Sequence, residues 1–162
     1  MVLFTSRTVI KIGLAAAIAL FSFGANASQC AVGQVKEVGT WINPDSNTGG
    51  ITKAVIAEEC RDDSRRTCNG NICTITHGVK LVYTAQLWGK CHPSDCKWDK
   101  VDGVRYSSTG WLHFVWNQTY ATRDIWAKIW SGGDNWLDLV VDTDFHSASR
   151  TDYRFRAWMQ RD

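Results

Sequence analysis

With 162 residues, 18 Lys and Arg against 16 Asp and Glu, and six cysteines, the chain is sized for a single domain with a real core. Arg7 and Lys11, the apolar run Ile12 to Phe23 and the small-residue site Ala25-Asn26-Ala27 read as a signal peptide over residues 1–27, which leaves one domain at 28–162. Cleavage removes two bases and no acid, so the mature chain is formally neutral; this argues against nucleic acid, whose phosphates demand a concentrated surplus of Lys and Arg.

The apolar run is too short for a stable bilayer anchor, so no membrane association is expected after cleavage. All six cysteines (Cys30, Cys60, Cys68, Cys73, Cys91 and Cys96) follow the signal. An even count in that setting reads as a disulfide framework in a secreted or periplasmic protein. The expected pairs are Cys91 with Cys96, Cys68 with Cys73 across Asn69-Gly70, and Cys30 with Cys60.

Short alternating runs, punctuated by Gly, Asn and Asp clusters and only two prolines, predict an antiparallel all-β domain. A first strand ends in Gly39-Thr-Trp-Ile-Asn43, a turn follows at Pro44 to Gly50, and Ile51 to Glu58 is the second strand. The polar stretch Cys60 to Cys73 reads as a loop held by its own cysteines, since it has too few apolar residues to pack. Ile72 to His77 and Val79 to Trp88 read as a hairpin broken at Gly78. In the second arm Val79, Leu81, Tyr83, Ala85 and Leu87 share a face. Asp102-Gly103 carries a tight-turn signal, and Trp111 to Tyr120 is a further strand. Asp124 to Trp130 and Trp136 to Phe145 flank the loop Ser131 to Asn135. Pairing Trp130 with Trp136 sets Lys128 opposite Asp138 and makes one face aliphatic, with Ile125, Ala127 and Ile129 against Val141, Leu139 and Leu137. Trp126, Trp130 and Trp136 fall on the other face. Tyr153 to Met159 closes the chain, with Tyr153, Phe155, Ala157 and Met159 opposite Arg154, Arg156 and Trp158.

Eight or nine strands joined without a long crossover favour an up-and-down meander barrel of about eight strands over the alternative, a β-sandwich. Gly39-Thr40-Trp41, with Arg154 or Arg156 on the last strand, resembles the lipocalin-type barrel. That resemblance implies an arginine stacked over the tryptophan at a closed barrel end. A second resemblance spans nearly all of the mature chain. Trp41-Ile-Asn-Pro-Asp-Ser-Asn-Thr48, Ile51-Thr52, Trp88-Gly-Lys-Cys-His-Pro-Ser-Asp-Cys-Lys-Trp98 and Asp152-Tyr153-Arg154 look like a family of small secreted bacterial domains without an established activity. Cys60 to Cys73 departs from it as an insertion.

Two thiolates, His92 and Asp95 in the Cys91 to Cys96 stretch have the makings of a zinc site, yet the same spacing suits a small disulfide loop stiffened by Pro93, and the oxidising compartment favours the disulfide. His77, His92, His113 and His146 form no metal-binding spacing. Asp142, Asp144 and His146 are candidates for a cation or a hydrolytic group; against this, charges on Asp138, Asp142 and Asp144 suit a solvated edge strand. No cofactor motif is present. Nine tryptophans are the compositional outlier, with Trp41, Trp88 and Trp116 expected in the core. The face bearing Trp126, Lys128, Trp130, Trp136 and Asp138 is the candidate ligand surface, either as an exposed platform or as a cavity lining; Trp88, His92 and Trp98 are expected to rim a barrel mouth. The sequence thus points to a non-enzymatic binding module for a carbohydrate or small amphipathic ligand, without metal or cofactor. The alternative is a module directed at an extracellular protein, such as an enzyme inhibitor presenting Cys60–Cys73 with an Arg65-Arg66 tip.

Overall fold

The computed structural model describes residues 30, 32, 33 and 35–162; the signal segment and its cleavage site lie outside them. Eleven strands follow in chain order: β1 (Gly39–Ile42), β2 (Ile51–Asp62), β3 (Arg65–Asn69), β4 (Ile72–Thr76), β5 (Val79–Gly89), β6 (Cys96–Lys97), β7 (Val101–Arg105), β8 (Leu112–Gln118), β9 (Ala121–Ile129), β10 (Trp136–Phe145) and β11 (Tyr153–Arg161). Antiparallel pairing runs β2-β1-β11-β10-β9-β8-β7-β5, and β5 returns to pair with β2. The result is a closed eight-stranded barrel, and the second sheet among the described residues is the two-stranded β3–β4 pair, not the facing layer of a sandwich. Short β6 extends the β7 side of β5 toward one end.

Period-two alternation dictates what goes inside. Trp41, Ile56, Leu87, Leu112, Phe114, Ile125, Leu137, Leu139, Val141 and Met159 are buried together. An eight-stranded barrel is just wide enough for side chains of this size to fill it. Each such aliphatic or aromatic group contributes roughly 1.5–3 kcal/mol on full burial. The β9–β10 register is the expected one, with Ile129 opposite Leu137, Lys128 opposite Asp138 and Ile125 opposite Val141.

Three local expectations are corrected. First, β4 does not pair with β5. It pairs with β3, and β5 pairs with β2, so Cys60 to Cys73 belongs to one long β arm rather than an irregular loop. The β3–β4 part is exposed along its whole length. Its polar residues therefore need no core, only the ladder and the Cys68–Cys73 bridge that joins directly paired residues. Second, Asp102-Gly103 lies inside β7 and makes no turn, because the Phe114 ring packs where a Gly103 side chain would stand. Third, β10, with its three aspartates, is paired on both sides and is not an edge.

The end where β1 begins and β11 finishes is closed. Val35 and Glu37 are buried there. Trp41 Nε1 donates to Glu37 O at 2.8 Å, and Ile129 N donates to Glu37 Oε1 at 3.1 Å. The guanidinium over Trp41 belongs to Arg161, 4.2 Å from the ring centre, rather than to Arg154 or Arg156. Those two alternate outward on β11 and pair with Asp142 and Asp138. Cys30–Cys60, Cys68–Cys73 and Cys91–Cys96 are all bridged.

Candidate site at the barrel mouth

At the opposite end the loops 43–50, 90–100, 119–120 and 146–152 surround an opening. The Cys91–Cys96 bridge folds the chain back on β5: Trp88 pairs with Lys97 and Gly89 with Cys96. Trp98 N then donates to Leu87 O at 2.9 Å, and Gln86 Nε2 donates to Trp98 O at 3.0 Å. These bonds fix Trp98 so that its indole lies against Gly89, where an added Cβ would stand 3.1 Å from Nε1. Trp98 meets Trp116 edge to face at 5.9 Å, and Trp116 Nε1 is held by Asp99 O at 2.7 Å.

A cavity of about 360 Å³ opens beneath these loops, lined by Trp98, Gln118, Tyr120, Arg123, Tyr153 and Phe155 among others. Arg123 follows Ala121 and precedes Ile125 and Ala127 on the inward face of β9, and is only 8% exposed. Its guanidinium lies 4.9 Å from the Trp98 ring centre and 5.2 Å from that of Tyr120. Its one hydrogen bond among the described residues is a long one, from Nη1 to the Tyr120 hydroxyl at 3.4 Å. Gln118 Oε1 and Thr143 Oγ1 are buried with no hydrogen-bond partner, and Thr143 stands opposite Arg123 in the β9–β10 register. Below this layer Ile125, Leu139 and Val141 are at most 1% exposed, so the barrel is packed beneath the mouth.

The sequence-predicted ligand residues divide between several places. Trp98 lines the mouth. Trp88 is outside the core, on the outer wall, with Lys53 and Lys97 ammonium groups 5.0 and 5.8 Å from its ring. His92 is exposed on the Cys91–Cys96 loop and does not line the cavity. Trp126, Lys128, Trp130, Trp136 and Asp138 all lie on the outside of the barrel, because the aliphatic face of the same hairpin takes the inside. That outer face is not one platform. Trp126 is stacked by His113 at 3.9 Å, and His113 is oriented by Asp124 at 2.7 Å. Trp130 and Trp158 meet edge to face at 5.9 Å and form an open apolar notch with Trp136. Lys128 and Asp138 are opposite in register, yet each has another partner: Lys128 Nζ donates to Thr109 O at 2.7 Å, and Asp138 is held by Arg156.

Of the hydrolytic candidates, Asp142 and Asp144 line one shallow pocket with Asp124 and Asp152, and His146 is not part of its lining. Asp142 is taken by Arg154, whose hydrogen-bonding guanidinium lowers the carboxyl's pKa. His146 hydrogen-bonds to Thr122 Oγ1 and Thr119 O at 3.1 Å each. Among the described residues no group of three or more His, Cys, Asp or Glu is placed to hold a metal ion. Arg65 and Arg66 lie in β3, away from the arm's tip, which is Gly70-Asn71. Arg123, Gln118 and Tyr120 carried no motif. Their signal was parity, because counting back two residues from Ile125 on the inward face gives Arg123.

No family model, curated protein or solved structure matches the chain. The three disulfides point to an oxidising, extracellular environment, and no helix among the described residues is long and apolar enough to cross a membrane.

Proposed function

We propose that this chain is a secreted or periplasmic, non-enzymatic barrel that binds a small amphipathic ligand at its mouth. One observation carries the reading: the cavity combines aromatic walls (Trp98, Tyr120, Phe155) with polar groups left short of protein partners, Gln118 Oε1 buried with none and the Arg123 guanidinium with a single long contact. Buried hydrogen-bonding groups are normally satisfied, and mostly apolar concave sites with a few convergent polar groups are where small molecules bind. The outer tryptophan face supports this role less well, since Trp126 is already stacked and Lys128 and Asp138 are already paired.

Tryptophan fluorescence titrated with a panel of glycans and small amphiphiles tests the proposal. Trp98→Phe is expected to remove the response, while Trp130→Ala with Trp136→Ala leaves it. The reverse pattern would move the site to the outer notch. Silence of the wild-type protein across the panel would defeat the binding reading.

A further inference from the structure

We propose that Arg123 is the anion receptor of the mouth, and that its ligand is a small monocarboxylic acid with a single ring or short chain. This rests on the mouth being the binding site and specifies what the mouth selects. Arg123 is the one buried basic side chain among the described residues, and it takes part in none of the salt bridges found there. Arg154 and Arg156, on the same barrel but facing out, each have an aspartate. A buried charge without a counter-charge is costly, so its retention inside the barrel calls for an anion.

The way Arg123 is held indicates how that anion docks. Aromatic rings at 4.9 and 5.2 Å engage the guanidinium, while its donors lie in its own plane. Only one of them has a partner, the long contact to Tyr120. A planar fork with free in-plane donors matches a carboxylate through two parallel N–H···O bonds. Of the other charged residues along the lining, Lys90 stands with Asp99, while Lys97 carries its ammonium to Trp88 on the outer wall. Gln118 Oε1, a buried acceptor without a partner, lies on the same lining, and Thr143, whose hydroxyl is also unsatisfied, stands opposite Arg123 in the β9–β10 register.

Size narrows the class. About 360 Å³ is near the small end of ligand cavities, roughly 300–1,000 Å³. The layer below, Ile125 with Leu139 and Val141, is closed, so a long acyl chain has nowhere to go. Arg123 lies deep while Tyr120 and Tyr153 are 49% and 45% exposed at the rim. The carboxylate therefore enters first and the apolar body rests against Trp98, Tyr120 and Phe155.

Calorimetric titration of the mature protein with benzoate, phenylacetate, benzamide, decanoate and inorganic phosphate tests this. Benzoate or phenylacetate is expected to bind ~10-fold or more tightly than benzamide, the discrimination expected of a charge-assisted bidentate contact. Arg123→Gln should erase that preference, and Arg123→Lys should keep only part of it. Arg123→Gln is expected to melt no lower than wild type, since it removes an uncompensated buried charge. Should it fail to fold, loss of preference in Arg123→Lys carries the test. Equal binding of acid and amide, or undiminished benzoate binding by Arg123→Gln, would overturn the receptor assignment while leaving the mouth as a neutral site. Preference for phosphate would overturn the carboxylate, and preference for decanoate would overturn the size limit. If no probe binds and Trp98 responds to nothing, the proposed function fails with it.

Discussion

Gly103 illustrates how a single residue answers to a neighbour distant in sequence. It pairs with Phe114 across β7 and β8, and a Cβ added to it would lie 2.2 Å from Phe114 Cδ1 and 2.7 Å from His113 O. One contact is a buried ring and the other is backbone, so neither yields cheaply. Gly103→Ala is expected to destabilise the barrel by about 1–3 kcal/mol through overpacking, read as a lower urea midpoint. Adding Phe114→Leu should recover part of the loss, and full stability of the single variant would refute the packing argument. The same pair shows where sequence reading fails at this scale. Asp-Gly is a turn signal by its local chemistry, and nothing local announces the Phe114 ring. Trp88 misleads in a similar way, because its indole lies on the outer wall under two lysines instead of in the core. Arg123 and Arg161 differ in kind: both were legible by parity, Arg161 being two residues beyond inward-facing Met159.

Between elements, the outer surface is tied by charge. Glu59 on β2 reaches across β5 toward the loop before β7, where Lys100 and Arg61 meet its carboxylate, and Arg61 also holds Asp102 of β7 at 2.6 Å. Hydrogen bonds from Lys100 and then Arg61 lower the Glu59 pKa from 4.5 to about 2. A carboxyl depressed on folding stabilises the native state above its unfolded pKa, and that contribution is lost as pH falls through the folded value. The stability difference between wild type and Glu59→Gln is therefore expected to be constant near neutral pH, to shrink below 4.5 and to be lost as pH falls through about 2. Added salt should reduce it throughout, because the group is solvent-accessible. A difference independent of pH would mean that the substitution acts through packing alone. Legibility at this scale follows chain separation. The β9–β10 register was readable because a short loop joins two strands that each carry an aliphatic face and a face of tryptophan and charge. The β2–β5 pairing was not, since the β3–β4 arm lies between them and its own ladder looks locally like a complete stapled loop.

The barrel as a whole is a ring, and a ring opens first at its weakest seam. The β2–β5 seam has eleven paired positions, Ile51 to Asp62 against Gly89 to Val79. The β1–β11 seam has two, Trp41 with Arg161 and Ile42 with Gln160. Period-two patterning and turn spacing made the barrel itself legible, but this inequality depends on where each strand stops, which patterning does not set. What closes the short seam is Arg161. Its guanidinium covers Trp41 at 4.2 Å and donates to Val38 O at 3.0 Å and Lys36 O at 2.6 Å, binding the N-terminal segment over the closed end. Arg161→Ala removes a cation–π contact and the charge-assisted hydrogen bonds to Val38 O, Lys36 O and, at 3.5 Å, Asp134 O, for an expected loss of about 1–3 kcal/mol. The spatial pattern is the sharper expectation. Local opening draws on the least stable contiguous unit, so amide exchange in this variant should accelerate at Ile42, Gln160 and Asp162, whose N–H groups face this seam, well before the β2–β5 amides respond. Arg161→Lys should fall between, keeping the charge over the indole and losing the fork. If protection instead fell evenly around the ring, the barrel would be opening as one unit and Arg161 would be an ordinary contributor to its stability. Because the mouth lies at the other end, selective opening of this seam should leave ligand affinity unchanged, which separates the clamp that closes the barrel from the cavity that gives it a use.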